Sequence, residues 1–265
     1  MQDDPQPSLE AALEHTERDA QAVLKTATAA ASAVKRFRAA AQNGNLRDLR
    51  PSIEAAEQVV SALGQQLANA KQAWDFDESA YFSSGAFQRE LLETARRQDV
   101  RIFEQDDRLY CYPNLVRVVP DDRAVLIEKT RERRVRPTVL VRLLRELQKR
   151  PARFKPQDFL ETLFSAYQPL TAPRGKDQFD RGHVVRLLDI YDLLTLLPGA
   201  SRDYSKPEFA RDIYLLDRSG VTRTKKELRV VFSASTGTKS SSGTLRVITE
   251  DGEERLYYGI AFEAR

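Results

Sequence analysis

Residues 46–74 read LRDLRPSIEAAEQVVSALGQQLANAKQAW and carry apolar side chains at two positions of a seven-residue repeat. One row consists of Leu46, Ile53, Val60, Leu67 and Trp74, and the other of Leu49, Ala56, Leu63 and Ala70. A seven-residue apolar repeat keeps one seam of a helix against a partner only when two helices coil around each other. The stretch therefore predicts one arm of a coiled coil.

The partner helix is predicted directly upstream. Residues 8–42 repeat Leu13, Ala20, Ala27, Val34 and Ala41 in one row, and Leu9, Val23, Ala30 and Phe37, with Thr16 in the gap, in the other. Only Asn43-Gly44-Asn45 separates the two segments, and so short a turn makes neighbouring helices antiparallel. We expect a helical hairpin over about 8–42 and 46–75, with both apolar rows of each arm on the shared seam.

A two-helix hairpin is thin and gains stability by packing on its own chain, on a second copy or on another protein. The sequence leaves these three alternatives open. If the arm associates, the contact is expected through the bulky residues of its second helix. These are Leu46, Leu49, Ile53, Val60, Leu63, Leu67 and Trp74.

Downstream of the arm, the apolar pattern changes between helix and strand periods. A helix is expected over Ala86–Arg97. Two β-hairpins are expected after it, turning at the triplets Asp106–Arg108 and Asp121–Arg123, because paired aspartates supply acceptors for a tight turn. The same turn chemistry explains both acidic pairs better than metal binding does, since no histidine lies near either pair.

Helical patterns dominate residues 137–220. The segment Val184–Leu197 is apolar on nearly every side and predicts a buried central helix. Ser205 and Glu208 form a capping box, which predicts the start of another helix. The rest of the chain returns to strand patterns, with Asp251-Gly252 as a hairpin turn.

These patterns predict an α+β fold with an N-terminal antiparallel coiled-coil hairpin, a mixed α/β body and a C-terminal antiparallel β meander. A winged-helix module with one of the Asp-Asp hairpins as its wing is one arrangement compatible with the body. The expected segments are 1–78 for the hairpin, 79–136 for a helix and two β-hairpins, 137–220 for the helical region, and 221–265 for the last strands.

Composition places the chain among ordinary soluble proteins. The 42 basic and 39 acidic residues leave a net charge of +3. One cysteine, Cys111, excludes an internal disulfide or a cysteine-cluster metal site, and we expect a buried, inert thiol. The acidic N-terminus lacks the apolar core of a signal peptide, and no segment has ~20 uninterrupted apolar residues. A cytoplasmic protein without a membrane partner is expected.

No catalytic motif emerges, and neither a metal site nor a cofactor is expected. The loop SASTGTKSSSG, Ser233–Gly243, lacks the upstream glycine of a phosphate-binding loop, and a strand pattern follows it instead of a helix. Glu128 and Lys129 are adjacent, so on a strand they would face opposite sides and could not share a nuclease site with Asp121.

The strongest functional signal is a basic run. Residues Lys129 to Lys155, KTRERRVRPTVLVRLLRELQKRPARFK, include 11 basic and two acidic residues. Such a stripe can neutralise several phosphates of a nucleic acid, although carboxylates from elsewhere in the fold could equally cancel it. The residues expected to bind nucleic acid are Arg131, Arg133, Arg134, Arg136, Arg142, Arg145, Lys149, Arg150, Arg153 and Lys155, with Lys239 from the serine-rich loop.

The sequence thus favours a non-enzymatic DNA-associated accessory protein with weak sequence preference, whose arm binds a second copy or a partner protein. A coiled-coil arm on a basic body resembles accessory subunits of bacterial DNA-maintenance or phage-defence machines, an architectural likeness that assigns no residue. A protein-only scaffold is the alternative, and an enzyme of unknown type is a further one. Salt-sensitive nucleic-acid binding distinguishes the first from the second.

Overall fold

The computed structural model of the chain describes residues 8–150, 154–172, 182–233 and 243–264. The chain forms two units. One comprises Met1–Thr94, Val119–Ala124 and Arg133–Val141, and the other Ala95–Val118, Val125–Glu132 and Arg142–Arg265.

Two long helices form the N-terminal hairpin, as the heptads predict. Helix α1 spans Leu9–Gln42 and helix α2 spans Leu46–Ala73. The Ser8 hydroxyl accepts a hydrogen bond from the first turn of α1, and the Asn45 side chain does the same for α2. Between the helices, Gly44 adopts φ +65°, a left-handed conformation that lets the chain reverse without steric cost.

The face that α2 buries differs from the prediction by one row. Leu49, Ala56, Leu63 and Ala70 are buried or half-buried, as predicted, and the row beside them consists of Ser52, Val59 and Gln66. The other predicted row, Leu46, Ile53, Val60 and Leu67, is exposed to solvent. Both flanking rows repeat every seven residues, so periodicity alone leaves the choice between them open. Trp74 follows the end of α2 and is half-buried.

The first helix shows the same rotation. The row Thr16, Val23, Ala30 and Phe37 is buried or half-buried, as predicted. The second inward row is Asp19, Thr26, Ala33 and Ala40, whereas the predicted Ala20, Val34 and Ala41 are exposed. Small residues such as Ala33 and Ala40 let the two backbones approach closely, which narrows the shared seam.

Aromatic packing holds the root of the arm. A short helix that the sequence pattern missed, α3 (Glu78–Ser83), precedes the predicted α4 (Ala86–Arg97). The rings of Phe82 and Phe87 stack with centroids 4.7 Å apart. The Glu90 carboxylate of α4 accepts hydrogen bonds from the backbone N–H of Leu9 at 2.8 Å and from the Tyr81 hydroxyl. A carboxylate at the N-terminus of α1 opposes the positive end of its dipole.

The two predicted hairpins belong to one five-stranded sheet. Its strands follow chain order: β1 (Phe103–Gln105), β2 (Arg108–Cys111), β3 (Asn114–Val119), β4 (Ala124–Ile127) and β5 (Thr130–Glu132). Both Asp-Asp-Arg triplets lie at turns, as expected. Asp106, Asp107 and Arg123 have positive φ, which aspartate tolerates better than most residues.

Helices and short strands make up the rest of the chain. The helices are α5 (Pro137–Gln148), α6 (Pro156–Thr171), α7 (Leu187–Leu194), α8 (Ala200–Asp203) and α9 (Lys206–Arg218). The predicted capping box is present, because the Glu208 carboxylate accepts the Ser205 backbone N–H at 2.7 Å. The core of the second unit packs large side chains of these helices and of the strands, among them Leu163, Tyr167 and Phe209.

The last strands form two small sheets instead of one meander. Strand β10 (Gly259–Glu263) lies between β6 (Val185–Arg186) and β7 (Arg229–Ser233), and β8 (Leu245–Ile248) pairs with β9 (Glu254–Tyr257). The expected meander was wrong because β10 pairs with a strand far away in sequence, which local patterns do not encode.

The predicted helix Val184–Leu197 was also too long. Val185 pairs with Ile260 as strand β6, the helix covers only Leu187–Leu194, and Leu196 and Leu197 are 74% and 75% exposed. A short apolar run fits a strand as well as a helix, so its division between the two was not readable from period alone. None of the helices in the described ranges has the length and apolarity needed to cross a membrane.

Candidate functional site

Four cations of the predicted basic run lie on α5 and in the turn after it. Arg142, Arg145 and Lys149 lie on the side of this segment away from the buried Leu140 and Leu144, and the exposed Arg150 follows in the turn. Arg142 and Arg150 are exposed, and neither makes an ion pair with a carboxylate of the described residues. Their guanidinium groups are available to an external anion.

The other two cations of this face are partly engaged. Lys149 donates to the Glu146 carboxylate at 2.7 Å, and this contact, followed by the charges of Arg145 and Arg150, lowers the pKa of Glu146. Arg145 is half-buried and donates to the backbone carbonyl of Gln98. The face therefore carries four cations and one carboxylate, and it stays positive overall.

Arg136 does not join that face. It pairs at 2.6 Å with both Glu10 and Glu17 of α1, and the hydrogen bonds that it donates, first to Glu17 and then to Glu10, raise its pKa. Glu10 also accepts the backbone N–H of Thr138 at 2.9 Å, in the first turn of α5. Burial works to raise the pKa of Glu10, but the contacts with Thr138 and Arg136 outweigh it and lower that pKa. Arg136 is thus part of an internal ion-pair cluster.

The remaining predicted cations are dispersed. Arg131, Arg133 and Arg134 are exposed around and after β5, and Lys155 lies 3.8 Å from Asp158. Arg153 and Lys239 lie outside the described residues. Among the residues predicted to bind nucleic acid, the structure therefore brings together chiefly those on α5.

The arm has a charge polarity that the sequence reading overlooked. Its tip, the half nearer the turn (residues 26–62), holds three acidic residues and five exposed basic ones: Lys35, Arg36, Arg38, Arg47 and Arg50. Its root, residues 8–25 and 63–77, holds six acidic and three basic residues. In the sequence, the basic cluster KRFR at 35–38 was the signal for this charge polarity. The polarity itself is visible only once the two helices of the hairpin lie side by side.

The arm also exposes apolar side chains while it buries polar ones. Leu46, Ile53, Val60 and Leu67 are 79%, 43%, 51% and 60% exposed. By contrast, Gln66 lies on the inward face, and its side-chain oxygen is buried without a hydrogen-bond partner among the described residues. A row of large apolar residues on the solvent side is more informative than a scattered exposed leucine, because single exposed apolar residues are normal on protein surfaces and contiguous patches are not.

An ion-pair network ties α9 to the five-stranded sheet. Arg211 donates to Asp212 at 2.8 Å and to Glu128, and Tyr204 donates to Asp212 at 2.8 Å. Burial raises the pKa of Asp212, whereas in Arg211 the two carboxylates outweigh burial and raise the pKa. Glu128 therefore has a structural partner, and no motif in the sequence would have paired it with α9.

No cluster of three or more His, Cys, Asp or Glu in the described ranges could hold a metal ion. Cys111 is fully buried, and burial raises the pKa of its thiol to about 12. A thiol that stays protonated at neutral pH is a poor nucleophile.

Comparison with known proteins gives no family assignment. No family model, curated protein or solved structure matches this chain. Its function is therefore inferred from the faces and charges described above.

Proposed function

We propose that this chain is a non-enzymatic, DNA-associated accessory protein: its arm joins it to a second copy, and exposed cations hold the nucleic-acid backbone. The observation that carries the proposal is the exposed seven-residue row on α2, Leu46, Ile53, Val60 and Leu67. A heptad row that faces away from its own hairpin partner is suited to a further helix–helix contact.

Charge complementarity favours a second copy as the occupant of this row. Each arm has a basic tip and an acidic root. If two arms lie antiparallel, the tip of each faces the root of the other, and the same surface is used twice around a two-fold axis. A parallel pair would bring two basic tips together, which repels.

The α5 face supports the nucleic-acid half of the proposal. Arg142 and Arg150 are exposed and unpaired among the described residues, with Arg145 and Lys149 beside them. Two to four phosphate contacts give modest affinity that falls steeply with salt. The arm compensates for this weakness, because a dimer presents two such faces to one duplex and gains from effective concentration.

The connectivity of the second unit supports a winged-helix-like module within the proposal. With the short α8 and the β8–β9 hairpin left out, the order α6-β6-α7-α9-β7-β10, with sheet order β6-β10-β7, resembles that of winged-helix domains. In that comparison the wing corresponds to the β8–β9 hairpin and not to the Asp-Asp hairpins. Helix α9 takes the place of the recognition helix, but Phe209, Ile213 and Tyr214 are buried and Arg211 is ion-paired. Without an open recognition face, contact is with the backbone and has weak sequence preference.

A protein-only scaffold is the second candidate, because three predicted nucleic-acid ligands already have acidic partners. Arg136 pairs with α1, Lys149 with Glu146, and Lys155 with Asp158. The arm has the same role in both candidates. An accessory subunit of a DNA-maintenance or phage-defence machine fits the first candidate.

Fluorescence anisotropy with a labelled duplex at low salt tests the nucleic-acid half. We expect binding whose logarithm falls linearly with the logarithm of salt concentration. Arg142→Glu with Arg150→Glu should abolish the binding or reduce the slope by about 2, since each phosphate contact contributes ~0.9. Lys225→Glu, at an exposed cation elsewhere in the unit, is the matched control. Absence of duplex affinity at low salt would favour the scaffold.

A further inference from the structure

A cleft of about 270 Å³ opens in the second unit beside the five-stranded sheet. Its walls carry four cations, Arg108 of β2, Arg117 of β3, Lys129 from the turn after β4, and Arg202 of α8. Apolar side chains, including Leu126, line it as well. The cations of the α5 face are not part of this lining.

Two of the three acidic groups that line the cleft are held by the fold. Glu128 accepts the Leu115 backbone N–H at 2.7 Å and is paired with Arg211, and Glu208 is held in the capping box of α9. Asp203, on the exposed rim, has no such partner within the described chain. Among the basic groups, Arg108 donates a hydrogen bond to the backbone carbonyl of Asp107 at 3.3 Å. None of the four cations forms an ion pair with a carboxylate of the described residues.

Two of the cations oppose each other across neighbouring strands. The antiparallel register pairs Leu109 with Val116, and its continuation sets Arg108 opposite Arg117. Like charges at directly opposed positions destabilise a sheet. Burial first, and then the charge of Arg117, lowers the pKa of Arg108. An unfavourable local arrangement of this kind is typical of functional sites, where a bound ligand of opposite charge removes the repulsion.

We propose that this cleft binds the phosphate group of a small phosphorylated ligand, whose negative charge lies between the opposed guanidinium groups of Arg108 and Arg117. Guanidinium groups match phosphate oxygens with paired N–H donors, and Lys129 adds a compact positive charge. The cleft lies near the small end of the range for ligand pockets, roughly 300 Å³ upward, so the ligand is small. Leu126 and its apolar neighbours can contact the organic part of that ligand.

Calorimetric titration of the full chain with sodium pyrophosphate at fixed ionic strength tests this site. We expect saturable binding at one site per chain. Arg117→Ala and Lys129→Ala should each lower the association constant about tenfold or more, because each removes a charge-assisted contact. Arg117→Lys should retain more affinity than Arg117→Ala. Lys225→Ala, a surface cation outside the cleft, should leave the constant within about twofold.

The outcomes separate this site from the nucleic-acid surface. Thermal unfolding without ligand confirms that Arg117→Ala is folded, so its loss of binding is a loss of the site. Absence of saturable pyrophosphate binding, or an equal loss in Lys225→Ala, overturns the proposal. It is also overturned if Arg117→Ala weakens duplex affinity as much as Arg142→Glu with Arg150→Glu does, because the cleft then belongs to the nucleic-acid surface. A chain that binds no duplex but binds pyrophosphate supports the cleft and refutes the DNA role.

Discussion

Replacing the exposed row of α2 by glutamine should convert a dimer into a monomer. The exposed fractions of Leu46, Ile53, Val60 and Leu67 together equal a little more than two fully exposed side chains. Burying one such side chain completely is worth about 1.5–3 kcal/mol, so two copies contribute roughly 7–14 kcal/mol. Association costs ~4–15 kcal/mol, so a dissociation constant on the order of micromolar, equivalent to about 8 kcal/mol, requires a burial gain near the upper end of its range and an association cost near the lower end of its own.

Sedimentation velocity across about 1–100 µM protein measures this equilibrium, a range chosen around a micromolar constant. The wild-type chain should shift from monomer to dimer, and the fourfold glutamine variant should stay monomeric. The control is Leu196→Gln with Leu197→Gln, which removes comparably exposed apolar side chains outside the arm. Circular dichroism should show equal helix content in all three proteins, because the substituted side chains face solvent in the monomer.

Two results would refute this reasoning. The first is a wild-type chain that remains monomeric at the highest concentration. The second is a fourfold variant that dimerises as well as the wild type, since the contact would then lie elsewhere. Salt screens the attraction between complementary charges, so the antiparallel dimer should weaken as salt is added. A dimer that strengthens with added salt would contradict the antiparallel arrangement but not the dimer itself.

Two substitutions and one labelling experiment test features outside that row. Arg117→Ala should raise the free energy of unfolding by about 0.2–1 kcal/mol in phosphate-free buffer, as it removes a like-charge pair, and urea titration measures the gain. Glu10→Gln should lower stability at pH 7 by ~1–2 kcal/mol, whereas Glu14→Gln, more exposed and 4.0 Å from Arg136, should cost less than half of that. The pKa of Glu10 is lowered from 4.5 in the folded chain, so the stability that its carboxylate contributes is present above pH 4.5 and is lost as pH falls below it. The Gln variant should therefore lose less stability between pH 7 and pH 3 than the wild type. Cys111 should resist Ellman's reagent in the native chain and react in urea, because its buried thiol has a pKa of about 12; rapid native labelling would contradict this.

Local features of the fold were predictable wherever the chemistry of a few neighbouring residues decides the structure. The capping box at Ser205 and the turns at both Asp-Asp-Arg triplets are of this kind. The hairpin was predictable too, since its repeat extends over both helices. The orientation of each helix about its axis was not, because two candidate rows share one period.

Long-range partners account for what the sequence reading missed. Arg136 looked like a member of the basic stripe, yet its carboxylates come from α1, more than a hundred residues away. Val185 was predicted to be helical, but it pairs with strand β10. The opposition of Arg108 and Arg117 likewise exists only once the strands are in register. Such pairings are tertiary facts that override local preference.

The contact of Glu90 with the start of α1 gives the hairpin a pivot. This carboxylate fixes the first turn of a helix that continues for 34 residues, or ~51 Å at 1.5 Å per residue. A tilt of about 5° at that pivot would displace the far end by ~4 Å, a little less than the ~5.4 Å rise of one helical turn. Because Glu90 and Glu10 both act on the first turn of α1, the angle of the whole helix is set by contacts at one of its ends.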